Sequence, residues 1–218
     1  MTAEIIPFNP LNKKNLGASV AEALLDGKTH PLGTLPEFDG AGIYVIYYSG
    51  AHPAYTEIAK RNQSGKATAP IYVGKAVPAG ARKGVKKKDG EKIKRPLFKR
   101  LSEHAESIQQ VASLQIGDFT CRYLVVDDIW IPLGESLLIA RYSPVWNALV
   151  DGFGNHDPGK RRHEGLRPRW DTLHPGRPWA SKGSARKETA ADIQRDVETY
   201  LRNATFPTTT RFIESPEN

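Results

Sequence analysis

The sequence predicts a mixed α/β (α+β) fold in which three short strands alternate with helices. Three segments rich in β-branched and aromatic residues, IYVIYY, IYVGK and FTCRYLVVD, have the composition that is typical of strands. Between and around them, apolar residues recur at helical spacing. At 218 residues the chain has the length of one elaborated domain and can bury a sizeable core.

The first half of the chain supplies a helix and two strands. Residues 10–27 carry apolar side chains at helical spacing and end at a glycine, which predicts an amphipathic helix. Residues 30–42 are rich in proline and glycine and predict an extended connector into the first strand, 43–48. A polar loop is expected from 49 to 69, before the second strand at 71–75.

The next predicted element is a helix that begins at Pro96, because proline suits the first turn of a helix. The apolar stripe that follows predicts a helix over 96–114, and the next strand is expected at 119–127. A second core helix is predicted at 131–142. Residues 151–187 show no steady period and are interpreted as irregular structure packed against another part of the protein. A final helix is predicted at 188–203.

The first predicted strand places tyrosines on both of its faces. Alternate side chains of a strand share a face, so Tyr44, Ile46 and Tyr48 point one way. The other face carries Ile43, Val45 and Tyr47. A strand tyrosine is ordinarily a core residue whose hydroxyl finds a partner at the edge of the core. The strand by itself therefore does not identify a site.

Positive charge is concentrated in two segments of the chain. The formal net charge is +7 and the sequence pI is about 9.4. Residues 75–100 carry eleven Lys or Arg and two acids, and residues 155–187 carry nine Lys or Arg and three acids. Their local charges are +9 and +6, which leaves −8 for the rest of the chain. Two basic segments on an acidic background indicate a ligand with a phosphate backbone.

Composition argues against several classes of protein and site. The chain has no run of about 18 apolar residues and no basic leader before an apolar block, so we expect neither a membrane protein nor an exported one. Cys121 is the single cysteine, which excludes a disulfide framework and a zinc finger. The GKA tripeptide lacks the features of a Walker loop. Three histidines in the C-terminal half follow no metal-ligand spacing. We interpret them as DNA-contacting or loop residues; they are His156, His163 and His174.

Five elements, in this order, resemble the GIY-YIG nuclease family. They are Gly42-Ile43-Tyr44 on the first strand, Tyr72-Val73-Gly74-Lys75 on the second, Arg100 with His104 on a helix, Glu135 on the next helix, and Asn147. The resemblance covers residues 40–150 and implies a three-stranded, mostly antiparallel sheet flanked by helices. Compact members of the family place the arginine soon after the second strand, whereas residues 77–95 intervene here. Lys99 and Arg95 therefore stay open as alternatives to Arg100.

The resemblance implies metal-assisted hydrolysis of phosphodiester bonds, and the residue types suit that chemistry. A phenol has a pKa near 10, so it is a poor base at neutral pH unless cations stabilise the phenolate. The family pattern makes Tyr72 the general base for an attacking water, with the Lys75 ammonium nearby. Tyr44 would hold the water or a phosphate oxygen. The reverse assignment of the two tyrosines stays open.

The remaining site residues are expected to bind the phosphate and a metal ion. Arg100 and His104 are four residues apart and share a helix face, so both would reach one phosphate. His104 would alternatively orient a tyrosine hydroxyl. The resemblance makes Glu135 the single protein ligand of Mg²⁺ or Mn²⁺, since Mg²⁺ keeps waters and takes substrate oxygens. Asn147 would tie its helix end to the sheet.

The segments around the core predict how DNA is bound within one elaborated domain. An N-terminal arm at 1–39 and a basic insertion at 77–95 flank the 40–150 core, and a basic extension at 151–218 would serve DNA binding, dimerisation or both. Lysine and arginine side chains either read base edges or bind phosphates. The candidates for these contacts with double-stranded DNA are Lys83, Lys86, Lys87, Lys88, Arg161, Arg162, Arg167 and Arg169.

This layout resembles the small type II restriction endonucleases of the family. The likeness implies cleavage of both strands of a palindromic, GC-rich site of the CCGCGG type by a homodimer. It also implies a cognate DNA methyltransferase in the same system and a location in the bacterial cytoplasm. Two alternatives stay open: a homing or structure-selective nuclease with the same chemistry, and a non-catalytic DNA-binding module on a nuclease scaffold.

Overall fold

The computed structural model describes residues 12–77, 95–157 and 165–212 and contains one four-stranded sheet. The strands lie in the order β1-β4-β2-β3, and every neighbouring pair is antiparallel. They are β1 (His30–Pro31), β2 (Gly42–Tyr48), β3 (Pro70–Ala76) and β4 (Phe119–Val125). The predicted α+β class and antiparallel sheet are confirmed. The fourth strand is an addition, because the start of the predicted connector pairs with β4 as the short edge strand β1.

The helices pack on both faces of this sheet. Those of the described residues are α1 (Lys13–Leu25), α2 (Thr56–Asn62), α3 (Pro96–Gln109), α4 (Ile131–Tyr142), α5 (Val145–Ala148), α6 (Arg169–Leu173) and α7 (Ala190–Asn203). Proline opens α3 at a position where its missing N–H leaves no partner unsatisfied. A capping box between Thr189 and Asp192 begins α7. In the described part of the chain, no helix is both long and apolar enough to cross a membrane.

The regions at 49–69 and 96–114 also differ from the sequence-based expectation. The predicted loop at 49–69 contains α2, which buries Ile58 and Ala59 and is preceded by the buried Tyr55. The Asn62 amide, near the end of α2, bonds the Tyr48 and Ala69 carbonyls at 2.9 and 2.8 Å and so joins the ends of β2 and β3. The predicted helix at 96–114 ends at residue 109, although the apolar side chains beyond it remain buried.

The alternation predicted for β2 is confirmed and divides the core in two. One face of the sheet carries Tyr44, Ile46 and Tyr48, which pack with α2, α3, α5, α6 and α7. The opposite face carries Ile43, Val45 and Tyr47, which pack with α1 and α4. On the first face, α7 buries Ile193, Val197 and Leu201 in the same cluster as the strand tyrosines. Burial of each such side chain contributes roughly 1.5–3 kcal/mol, so the last helix is held firmly to that face.

Candidate active site

Two tyrosines meet on the first face of the sheet. In the β2–β3 register, Tyr44 lies opposite Gly74 and Ile46 lies opposite Tyr72. A Cβ atom at Gly74 would lie 2.4 Å from the Tyr44 hydroxyl, so only glycine lets the Tyr44 ring lie across β3. The centroids of the two tyrosine rings are 6.2 Å apart. The glycine of the Y-V-G-K motif is therefore what brings the two phenols together.

His104 is buried beside these phenols, with 1% of its surface exposed. Its Nε2 and the Tyr44 hydroxyl are joined by a hydrogen bond of 2.6 Å. Burial holds the pKa of His104 well below its ordinary value, and the positive charge of Arg100 lowers it further. The imidazole is consequently neutral at pH 7. Of the two roles expected for His104, orienting a tyrosine hydroxyl is the one that fits this geometry.

Arg100 lies one helical turn before His104, on the same face of α3. Burial raises the pKa of Tyr72, and the Arg100 cation acts in the opposite direction. Burial likewise raises the pKa of Tyr44 well above its ordinary value, with Arg100 again opposing the rise. Arg100 is thus the cation placed to favour a phenolate in this cluster.

The two alternatives to Arg100 lie elsewhere. Arg95 forms ion pairs with Glu37 and Asp39, the latter at 2.9 Å. The Lys99 side chain is 78% exposed, and its ammonium lies 4.0 Å from Glu103. Neither is among the charges that shift the pKa values of the two tyrosines. The arginine that faces the tyrosines is therefore Arg100.

Lys75 and Glu135 form an ion pair, with Nζ and Oε2 2.6 Å apart. Lys75 is three residues beyond Tyr72, so strand alternation directs it to the opposite face, towards α4. Support of the Tyr72 phenolate by Lys75 stays a prediction: Lys75 is paired with Glu135, and the cation that opposes the rise in the Tyr72 pKa is Arg100. After burial and the Arg100 charge, the Glu135 carboxylate is a further influence that raises the pKa of Tyr72.

Asn147 binds the outer edge of β3 at the residue between Tyr72 and Gly74. The Val73 N–H donates to Asn147 Oδ1 at 2.8 Å, and Asn147 Nδ2 donates to the Val73 carbonyl at 2.8 Å. An edge strand otherwise leaves such groups without a strand partner. This is the tie between helix end and sheet that the sequence predicted, and it holds the Y-V-G-K strand in place.

One segment of the site, Gly152–His156, was not predicted from the sequence. The Phe153 ring stacks on His104, with centroids 4.5 Å apart, and lies edge-on to Tyr72 at 5.0 Å. Arg100 Nη2 donates to the Gly154 carbonyl at 2.6 Å, and Arg100 Nη1 contacts His156. A phenylalanine between two glycines in a polar stretch was the one signal that this segment packs closely against other side chains.

Glu103 joins the same group of side chains. Its Oε2 lies 3.3 Å from Arg100 Nη1 and 3.5 Å from His156 Nε2. The Arg100 guanidinium is therefore bordered by a backbone carbonyl, a carboxylate and an imidazole. Since Arg100 remains 18% exposed, the guanidinium is reachable from solvent.

The predicted DNA-contacting residues are only partly described. Lys83, Lys86, Lys87, Lys88, Arg161 and Arg162 lie outside the described residues, as does His163. Arg167 donates to the carbonyls of Ala180 and Ser181 at 3.2 and 3.3 Å, and it borders a cavity of about 570 Å³ next to Gly154 and His156.

Two of the candidate residues are used within the protein. Arg169 is 12% exposed and forms ion pairs with Glu188 and Asp196, so its guanidinium is used within the protein, which argues against a direct base contact. His174 is fully buried, lies directly after α6 and is bonded to Tyr55 and Ser113, so of its two expected roles the loop residue is the one that fits.

Comparison with known proteins identifies one family that the chain matches. A family model described as the Eco29kI GIY-YIG domain matches residues 36–201. A search of curated proteins found no match. The matched range extends past the 40–150 core indicated by the motifs and includes the Gly152–His156 segment. The region after Asn147 is thus part of what the family shares.

Proposed function

The chain belongs to the Eco29kI GIY-YIG family of restriction endonucleases, and on that basis we propose that it is a type II site-specific deoxyribonuclease. A nuclease domain of this family acts on DNA. The observation that carries the proposal is the convergence of two phenols, one guanidinium and one neutral imidazole on the first face of the sheet. These groups suit the hydrolysis of a phosphodiester bond.

Each group has a role in the proposed reaction. Arg100 binds the scissile phosphate and stabilises the charge that grows on it in the transition state. Burial raises the pKa of Tyr72, and the Arg100 charge opposes that rise; once its hydroxyl has given its own proton to solvent, the Tyr72 phenolate takes a proton from the attacking water. Tyr44 holds that water or a phosphate oxygen, and its hydrogen bond with His104 fixes the position of its hydroxyl.

A divalent ion, Mg²⁺ or Mn²⁺, fits the residues present through a single carboxylate. In the described part of the chain, no group of three or more His, Cys, Asp or Glu could hold a metal ion. Glu135 has a 17% exposed side chain, and among residues 12–77, 95–157 and 165–212 its carboxylate is the one whose charge reaches both tyrosines. Bound there, Mg²⁺ would keep several waters, take phosphate oxygens and supply neutralising charge. Lys75, now paired with Glu135, would shift as the ion bound.

The finer features of the proposal rest on likeness to restriction endonucleases. We propose a palindromic, GC-rich target of the CCGCGG type, cut on both strands by a homodimer that brings two copies of the site together. A methyltransferase of the same system would protect the host DNA in the bacterial cytoplasm. The basic insertion at 77–95 and the extension at 151–218 would hold the duplex against the core.

Digestion of a mapped plasmid, followed by sequencing of the ends, tests this proposal. With Mg²⁺ we expect a few discrete fragments whose ends share one short palindrome, and with EDTA we expect intact plasmid. Cleavage confined to branched DNA, or to one long target, would favour a structure-selective or homing nuclease. Binding of DNA without cleavage in Mg²⁺ or Mn²⁺ would replace the enzyme with a non-catalytic DNA-binding module.

A further inference from the structure

Arg177 uses every N–H group of its side chain inside the protein. Its Nε and Nη2 donate to the two carboxylate oxygens of Asp171 at 2.6 and 2.5 Å. The other three donors reach the carbonyls of Gly152, Phe153 and Asn155 at 2.8, 3.1 and 3.2 Å. A guanidinium has five N–H donors, so none is left over. The set of contacts is specific to arginine, because an ammonium has three donors and no planar fork.

The surroundings of this guanidinium hold it in one orientation. Arg177 and Asp171 are each 1% exposed in their side chains, so the ion pair lies in the interior. The guanidinium carbon lies 4.5 Å from the Trp170 ring centroid and 4.7 Å from the Trp179 ring centroid. Both indole rings attract the cation, and the bidentate pair with Asp171 sets the plane of the fork.

The three carbonyls that Arg177 binds belong to the segment that borders the site. Phe153 stacks on His104, and the Gly154 carbonyl accepts from Arg100 at 2.6 Å. A Cβ atom at Gly154 would lie 2.6 Å from the Tyr72 hydroxyl and 3.2 Å from Arg100 Nη2, so this backbone touches both groups. Arg177 binds the residues on either side of Gly154 and thereby fixes where its carbonyl points.

We propose that Arg177 is a positioning residue for the nuclease site, acting through the Gly152–Asn155 backbone to hold Arg100 and His104 in their reactive arrangement. The proposal rests on the proposed function. If Arg177 has this role, the C-terminal region completes the site, because Asp171 and Arg177 both follow Asn147, the last of the five family motif elements. Displacement of a catalytic group by about 1 Å can cost about 100-fold in rate, which makes such a support measurable.

The test compares Arg177→Lys with the wild type in single-turnover cleavage at saturating enzyme. The lysine keeps a cation beside Asp171 and loses the fork, so we expect a folded protein that cleaves at least about tenfold more slowly. DNA affinity, measured with Ca²⁺ in place of Mg²⁺, should stay within about twofold of the wild type. If the lysine variant does not fold, the double variant Asp171→Leu with Arg177→Leu replaces the buried pair by apolar residues, a change that proteins often tolerate.

Arg122→Lys is the matched control. Arg122 also donates to two carbonyls, those of Gly27 and Ala67 at 2.9 Å each, and to the Tyr47 hydroxyl, but it does so on the opposite face of the sheet. Its cleavage rate should remain within about twofold of the wild type. Wild-type rates in the folded Arg177 variants, or an equal loss in the Arg122 control, would overturn the positioning role. A wild-type protein that never cleaves DNA would instead overturn the proposed function.

Discussion

The described residues include two buried tyrosine–histidine pairs whose hydrogen bonds have the same length and whose surroundings differ. Tyr44 bonds His104 at 2.6 Å, and Tyr55 bonds His174 at 2.6 Å. Burial lowers the pKa of both histidines well below the ordinary value. The second pair is completed by neutral groups: Trp146 Nε1 donates to the Tyr55 hydroxyl at 2.9 Å, and the Ser113 hydroxyl bonds His174 Nδ1 at 2.8 Å.

The first pair is surrounded by charge instead. Arg100 affects the pKa of Tyr44, Tyr72 and His104, and Glu135 affects that of both tyrosines. A buried Tyr–His pair is therefore not a site by itself, because the same bond also serves to satisfy polar groups in a core. The charged residues, and an opening to solvent at Arg100, distinguish the pair that suits phosphate chemistry from the pair that stabilises the fold.

Replacing the guanidinium that distinguishes the two pairs should have the largest effect. Arg100→Lys keeps a cation but loses the planar fork and its contact with the Gly154 carbonyl. We expect the single-turnover rate to fall by about 10³-fold, while the melting temperature changes little. Arg122→Lys is the control here too. A rate within a few fold of the wild type would show that a cation alone is sufficient and that the fork is not required.

Removing the hydroxyl from each pair should separate activity from stability. Tyr44→Phe should lower the cleavage rate by about 100-fold with a modest loss of stability. Tyr55→Phe should lower the free energy of unfolding by about 1–3 kcal/mol, because Trp146 and His174 lose a buried partner, and leave the rate of the folded protein unchanged. Rate constants and urea unfolding curves for both variants measure this. Equal effects of the two changes on rate would remove the distinction between the pairs.

The smallest expected effect is that of acid, which should lower the free energy of unfolding by protonating the buried histidines once the chain unfolds. The pKa of His174 lies below its unfolded value near 6.5, so the unfolded chain binds more protons as the pH falls. The contribution of the neutral His174 to the free energy of unfolding is therefore complete above about pH 6.5. Below that pH it is lost, at up to about 1.4 kcal/mol per pH unit for one histidine. Urea unfolding from pH 7.5 to 5.5 should show a shallower loss in His174→Gln. An identical slope in the variant would mean that His174 is protonated in the fold.

Local sequence patterns predicted three of the strands and which side chains share a face of a strand or helix. Alternation placed the faces of β2 as predicted, and helical spacing put Arg100 and His104 on one face of α3. The same alternation rule directs Tyr72 and Lys75, which are an odd number of residues apart, to opposite faces of β3, and Lys75 pairs with Glu135. Each of these features depends on residues that are close in the chain.

The remaining parts of the site depend on contacts between distant residues. Arg100 meets Gly154 and His156, which lie 54 and 56 residues later in an irregular segment with no period. The donors of Arg177 reach 22 to 25 residues back to three backbone carbonyls, and no side-chain pattern marks a carbonyl as a partner. Helix α2 was missed because its few apolar residues are separated by polar ones, and burial against β2 and α7 stabilises it.

The most direct test of metal-assisted hydrolysis at this site is the single-turnover cleavage rate of Glu135→Gln across a range of Mg²⁺ concentrations. The glutamine keeps the size of the side chain and removes the charge that would hold the ion. We expect the rate to fall by about 100-fold or more at every Mg²⁺ concentration, with DNA affinity retained, while the exposed Glu106→Gln behaves as the wild type. A Glu135→Gln enzyme that cleaves at the wild-type rate with the wild-type Mg²⁺ dependence would contradict the account.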